Sequence, residues 1–182
     1  MVNTARSTYY YTRRLFFALW PTQAARKALV GLQGRLNPAG RPTPGENLHS
    51  TLAFLGSVDT ERQVCVERAA GRVISPPFEL RLDRVGCFPR AGIIWSGVSG
   101  APPALHTLVE RLNRELAACG FEPDKRPFTA HVTLARKAEE PLKNAPHPPV
   151  AWWVDEFCLA ESETLSRGAR YRIRKRWPLR FP

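Results

Sequence analysis

One five-residue pattern occurs twice in this chain and constrains the fold more than any other feature. His49-Ser50-Thr51-Leu52-Ala53 and His131-Val132-Thr133-Leu134-Ala135 share the form His-x-Thr-Leu-Ala, the second starting 82 residues after the first. Two copies at that distance suggest an internal pseudo-repeat, one copy in each half of the chain. On a strand, successive side chains point to opposite faces, so each His projects together with the Thr two residues later. Leu52, Phe54, Val132 and Leu134 are then expected to turn toward the core. If the halves face each other, two imidazoles and two hydroxyls meet across a groove.

The segments around the repeat read as one α+β domain over residues 1–182, the length of a single domain. Residues 1–12 are polar and read as a loose arm. Leu15 to Trp20 reads as a buried strand, and Pro21 can open a helix to about Leu36, with Ala24, Ala28, Leu29 and Leu32 at helical spacing. A Pro- and Gly-containing loop, Asn37 to Gly45, leads to the apolar run Leu48 to Leu55. Asp59 can cap a helix running to about Val73. Phe78 to Val85 alternates with the strand period and forms a hairpin with Ile93 to Val98 around Pro89-Arg90-Ala91-Gly92. Pro103 to Cys119 is an amphipathic helix with Leu105, Leu108, Val109, Leu112 and Leu116 on one face. Ala130 to Ala135 is a strand, and a polar helix or loop follows to Pro149. Trp152 to Ala160 and Tyr171 to about Trp177 are the last two strands expected. The irregular alternation argues for α+β rather than a doubly wound parallel sheet.

Charge narrows the partner. Lys and Arg number 27 against 16 Asp and Glu, a formal net charge of +11, which favours a polyanion, nucleic acid before membrane. No apolar run approaches the roughly 20 residues of a membrane-spanning helix. Thr12-Arg13-Arg14-Leu15-Phe16-Phe17 has the look of a twin-arginine export signal, but Arg26 and Lys27 follow before any small-residue cleavage site. Cys65, Cys87, Cys119 and Cys158 form no CxxC pair, which fits a reducing cytoplasm and does not fit structural zinc. The expectation is a cytoplasmic monomer.

Two imidazoles beside surplus positive charge suit the opening of a phosphodiester without a metal. An unperturbed His pKa of about 6.5 lets one ring be neutral and the other protonated near pH 7, one as base and one as acid. Each role contributes roughly 10²–10⁴-fold. Thr51 and Thr133 would bind the non-bridging phosphate oxygens. A single His on a strand is more often structural; repetition with the same Thr, Leu and Ala argues for function. His106, on the long helix, and His147, in a Pro-rich loop, lack this frame and read as surface residues. No Walker A loop, GxSxG elbow or HExxH motif is present.

With these motifs, the chain resembles the 2H phosphoesterase superfamily, specifically the RNA 2′,3′-cyclic phosphodiesterases, also called 2′-5′ RNA ligases. Arg14-Leu15-Phe16-Phe17-Ala18-Leu19 resembles the family's opening strand. Arg41 through Gly56 resembles its first signature. Arg126-x-Phe128 with His131 to Arg136 resembles the second, and Glu161-Ser162, Leu165, Gly168 and Tyr171 resemble its closing segment. Ala130 replaces the Pro usual before the second His, and Ser50 stands where an aliphatic residue is commoner. The resemblance implies a bilobal fold of two pseudo-symmetric antiparallel sheets with outer helices around a central groove. It implies hydrolysis of RNA 2′,3′-cyclic phosphate ends to 2′-phosphates with no metal or cofactor, alongside reversible 2′-5′ ligation. It also implies that His49 donates the proton to the leaving oxygen, that His131 accepts one from water, and that Arg136 reaches the phosphate.

Two readings of the remaining residues stay open. Arg170, Arg172, Arg174 and Arg176 share one strand face, which would either follow an RNA backbone or protect a sheet edge from pairing. Phe16, Phe128 and Trp95 would either stack on a base or pack in the core. The competing function is a 2H-fold RNA- or nucleotide-binding module whose histidines hold phosphate without turnover.

Overall fold

The computed structural model describes residues 11–38, 40–166 and 168–182, so the arm read over residues 1–12 lies outside it up to position 10. The chain begins with β1 (Arg13–Leu19), which buries Leu15, Phe17 and Leu19 completely. Helix α1 (Gln23–Leu36) follows. Thr22, not Pro21, opens it, its hydroxyl accepting the Ala25 N–H. The expected loop then contains a two-residue strand, β2 (Arg41–Pro42), and a 3₁₀ turn at Gly45–Asn47. Next come β3 (Ser50–Val58) and α2 (Thr60–Gly71), the latter capped by Asp59 as anticipated, with its carboxylate 2.8 Å from the Arg62 N–H. The hairpin is β4 (Phe78–Phe88) with β5 (Ile93–Gly97), and α3 (Pro103–Ala117) follows with its predicted apolar face buried.

The C-terminal third departs from the sequence reading. After β6 (His131–Arg136), strand β7 (Ala145–Val154) begins inside the Pro-rich segment expected to be helix or loop. Strand β7 is the outermost of its sheet, where prolines cost no ladder hydrogen bond on the open side. The single strand expected over Trp152 to Ala160 is two, β7 and β8 (Glu156–Leu165), broken at Asp155; β9 (Gly168–Pro178) completes the chain. The break is topological: β7 pairs with β4, whereas β8 pairs with β1 and β9.

Strand order is β7-β4-β5-β6-β3-β1-β8-β9, with β2 added beside β6 and every pairing antiparallel. This is an open sheet made of two four-stranded lobes. One lobe is β3-β1-β8-β9 and the other β6-β5-β4-β7. A single residue pair, Ser50 with Val132, joins them. The lobes therefore do not correspond to the N- and C-terminal halves of the chain. The first lobe takes strands from both ends, and the second takes the middle.

The helices pack on one face. Helix α1 leaves the first lobe and lies against β6 and β7 of the second, where Gln33 Nε2 donates to the carbonyls of Thr43 (2.9 Å) and Leu134 (2.6 Å). Helices α2 and α3 pack on each other, with α3 also against β3. One apolar core runs beneath both lobes. The cysteine usage that suited a reducing compartment nonetheless includes one bonded pair, Cys65 of α2 with Cys119 beyond the end of α3, their Cα atoms 5.8 Å apart. Cys87 and Cys158 are free. Among the described residues no helix is long and apolar enough to cross a membrane.

Candidate active site

The two copies of the repeat lie on the innermost strands of the two lobes, β3 and β6, on either side of the Ser50–Val132 pair. Continuing that antiparallel register sets His49 opposite Thr133 and Thr51 opposite His131. Ser50 and Val132 are fully buried on the helix side. Alternation therefore turns all four remaining side chains to the other face, around one point.

A β-bulge then repeats in both copies. Along β1, Ala18 pairs with Thr51 but Phe17 pairs with Ala53, leaving Leu52 as an extra residue. Along β5, Trp95 pairs with Thr133 but Ile94 pairs with Ala135, leaving Leu134 extra. Leu52 and Ala53 in one copy, and Leu134 and Ala135 in the other, both pack on the core. Parity shifts by one, as bulges do, and the sixth residue of each copy swings to the groove face. Those residues are Phe54 and Arg136. The expectation that Phe54 turns to the core is thereby corrected: it is 60% exposed. A second extra residue, Leu55, lies between the pairs Phe16–Phe54 and Leu15–Gly56, and Gly56 takes the positive φ of 71° there.

Both imidazoles are fixed in the same way. His49 Nδ1–H donates to the Asn47 carbonyl at 2.6 Å, and His131 Nδ1–H donates to the Thr129 carbonyl at 2.8 Å. A carbonyl only accepts, so Nδ1 carries the hydrogen and Nε2 of the neutral ring is left as acceptor. The Thr51 hydroxyl, 3.1 Å away, donates to His49 Nε2. Trp20 stacks on His49 at 5.2 Å, with Phe16 and Tyr171 at 4.9 and 5.1 Å; Phe88 meets the edge of His131 at 5.2 Å.

Burial is the main cause that pushes His49 down to about 4; the charges of Arg136 and His131 add to it, and the Asn47 carbonyl opposes. His131 is also lowered, by burial and then by Arg136, against its own carbonyl contact. The groove thus biases both rings toward the neutral form, whereas unperturbed values led to the expectation of one neutral and one protonated ring.

Beside His49 the groove encloses about 450 Å³ lined by Arg14, Phe16, Thr51, Phe54, Arg136, Ser162, Thr164, Ala169 and Tyr171. Arg136 is the cation whose charge reaches both histidines. The Arg14 guanidinium lies 5.5 Å over the Phe54 ring. Phe54 and Arg14 escaped sequence reading, the first because no residue pattern announces a bulge. Among the described residues no group of three or more His, Cys, Asp or Glu is placed to hold a metal ion.

Other residues read from sequence lie elsewhere. Phe16 is buried beneath His49, Phe128 packs against the core, and Trp95 is half-buried beside Thr133. His106 is exposed on α3, and His147 Nε2 accepts from the Ser96 hydroxyl at 2.9 Å. The β9 arginines do not line the groove. Arg170 and Arg172 bridge Glu163, Arg174 bridges Glu161, and Arg176 bridges Glu156. Tyr171 and Ile173, of opposite parity, face the groove side. The expected single stripe is therefore broken: an extra residue at Arg174 shifts the parity, so Arg176, opposite Cys158, lies on the face of Ile173, while Arg170 and Arg172 share Glu163 on the other face of this edge strand.

Comparison with known proteins gives a consistent result. The family model of the 2′-5′ RNA ligase superfamily matches residues 21–164. The RNA 2′,3′-cyclic phosphodiesterase of Escherichia coli K12 is 37% identical over 171 residues, covering 92% of this chain and 97% of that protein. The protein of the same name from Thermus thermophilus is 34% identical over 184 residues, covering 92% and 90%. The crystal structure of E. coli LigT with 3′-AMP superposes with a TM-score of 0.86 at 36% identity, covering 93% of this chain and 99% of that one. The same E. coli protein has been solved with ATP and with phosphate.

Proposed function

From the premise that this chain belongs to the 2′-5′ RNA ligase superfamily, we propose how its groove works as an RNA 2′,3′-cyclic phosphodiesterase. The activity is that of its curated relatives. The observation that carries the mechanism is the gathering of His49, Thr51, His131 and Thr133 on one face about a single residue pair, with both Nδ1 atoms committed to backbone carbonyls.

The cyclic phosphate at the 3′ end of an RNA strand lies over the Ser50–Val132 junction. His131 Nε2 takes a proton from water as the water oxygen bonds to phosphorus. The bond from phosphorus to O3′ breaks, and His49 Nε2 delivers a proton to O3′, leaving a 2′-phosphate and a free 3′-hydroxyl. His49 enters this step protonated. A phosphate anion against its ring favours the imidazolium and offsets the burial that depresses it; Thr51 then accepts from Nε2–H instead of donating. Thr133 and Arg136 bind the non-bridging oxygens, where charge builds in the transition state. Phe54, the exposed aromatic of the groove, offers its ring to the terminal base, a contact every base can make.

Phosphorus NMR of a nucleoside 2′,3′-cyclic phosphate incubated with the protein in excess chelator tests the reading. The 2′-phosphate is the expected product. Binding without turnover would replace the enzyme with a nucleotide-binding module, and a requirement for added metal would overturn the two-histidine mechanism.

A further inference from the structure

Arg41 and Arg136 are direct partners in the short ladder between β2 and β6, so their side chains leave the sheet on one face, the face of the groove. Like charges set opposite each other destabilise an antiparallel pair. On β9 such cations are paired: Arg170, Arg172, Arg174, Lys175 and Arg176 all bridge carboxylates. Among the described residues, neither Arg41 nor Arg136 does.

The backbone gives the pair no way to separate. Pro42 pairs with Ala135, the Thr43 N–H donates to the Leu134 carbonyl at 2.8 Å, and Gln33 ties both carbonyls of that corner. Arg41 also lies against Gly168, where an added methyl would come within 3.4 Å of its guanidinium and where φ is +137°. The next residue, Ala169, lines the groove, and its carbonyl is held at 2.7 Å by Asn47, whose own carbonyl fixes His49. Arg41 therefore stands at the groove rim beyond Arg136. Its charge acts on neither histidine, whereas that of Arg136 acts on both.

Resting on the reading of the groove given above, we infer that Arg41 is a second phosphate site, which holds the phosphodiester preceding the terminal nucleotide while Arg136 holds the reacting phosphorus. Two fixed, unneutralised cations on one face are complementary to successive phosphates of a strand. The site makes the enzyme prefer an oligoribonucleotide end to a free cyclic mononucleotide.

The test compares wild type, Arg41→Ala and Arg41→Lys on adenosine 2′,3′-cyclic phosphate and on the dinucleotide ApA with a 2′,3′-cyclic phosphate end, across a salt series. Wild type is expected to prefer the dinucleotide. Arg41→Ala lowers kcat/KM on the dinucleotide by about tenfold, mostly through KM, as for loss of one charge-assisted contact. It leaves the mononucleotide rate in place, and Arg41→Lys retains most of the preference. The slope of log kcat/KM against log salt on the dinucleotide becomes shallower by about 0.7. Equal losses on both substrates, or no loss on the dinucleotide, overturn the second site. Absence of turnover by wild type on either substrate overturns the reading of the groove, and the second site with it.

Discussion

His49 carries the largest conflict between environment and task. The proposed mechanism has it donate a proton, yet burial among Trp20, Phe16 and Tyr171 pushes it down to about 4. Because kcat/KM reports the free enzyme, it requires protonated His49 together with neutral His131, both of which titrate below the ordinary value of 6.5. The expected profile therefore has its maximum on the acid side of 6.5 and falls as pH rises toward 8; a kcat/KM that rises over that range contradicts the assignment. Linkage gives stability the opposite trend. The folded-state pKa of His49 is depressed, so the unfolded chain binds its proton first, and stability present above 6.5 is lost as pH falls toward 4. Thermal melts of wild type should decline more steeply over that window than those of His49→Ala. In single-turnover assays His49→Ala and His131→Ala should each lose at least about 10²-fold in rate; a near-native rate in either removes the paired mechanism.

Ser50 shows a different tension. Its hydroxyl is buried without a hydrogen-bond partner at the one residue pair that joins the lobes. Leaving a buried hydroxyl unpaired costs about 1–3 kcal/mol. Ser50→Ala should therefore raise the melting temperature, and a fall would show that the hydroxyl is satisfied after all.

Among the elements, strand and helix existence followed from period and punctuation. The face of α3 was legible because Leu105, Leu108, Leu112 and Leu116 repeat at helical spacing, and the α2 cap because Asp59 directly precedes the helix, where its carboxylate can accept a free N–H of the first turn. Register was not legible. The bulges at Leu52 and Leu134 arise where β3 and β6 meet β1 and β5, strands distant in sequence, and they alone decide that Phe54 and Arg136 face the groove. The disulfide was equally hidden, because 54 residues separate Cys65 from Cys119 and only the packing of α2 on α3 brings them together. Closing a loop of that length stabilises a fold by about 2–4 kcal/mol. Reduction should lower the denaturant midpoint while leaving kcat at 25 °C unchanged, since both sulfurs lie on the helix side of the sheet. A matching loss of kcat would mean that the helix pair positions the groove.

For the whole molecule, a net charge of +11 suggested a polyanion partner, but not where it binds. The most regular basic pattern, on β9, is spent on carboxylates at a sheet edge, while the groove has Arg14 and Arg136. Replacing Arg170, Arg172 and Arg174 together by Ala should leave the salt dependence of kcat/KM on an RNA end unchanged. A shallower slope would place RNA on β9.

The doubled His-x-Thr-Leu-Ala determined by itself which side chains share a face, because alternation along a strand is local and puts each imidazole on the side of its hydroxyl wherever the strand lies. Only the tertiary structure decided that the two strands meet at Ser50 and Val132, and that a chain entering both lobes breaks at Asp155 to do so. Pairing between distant strands depends on hydrogen bonds and buried area shared by the whole sheet, and no local stretch of residues encodes those.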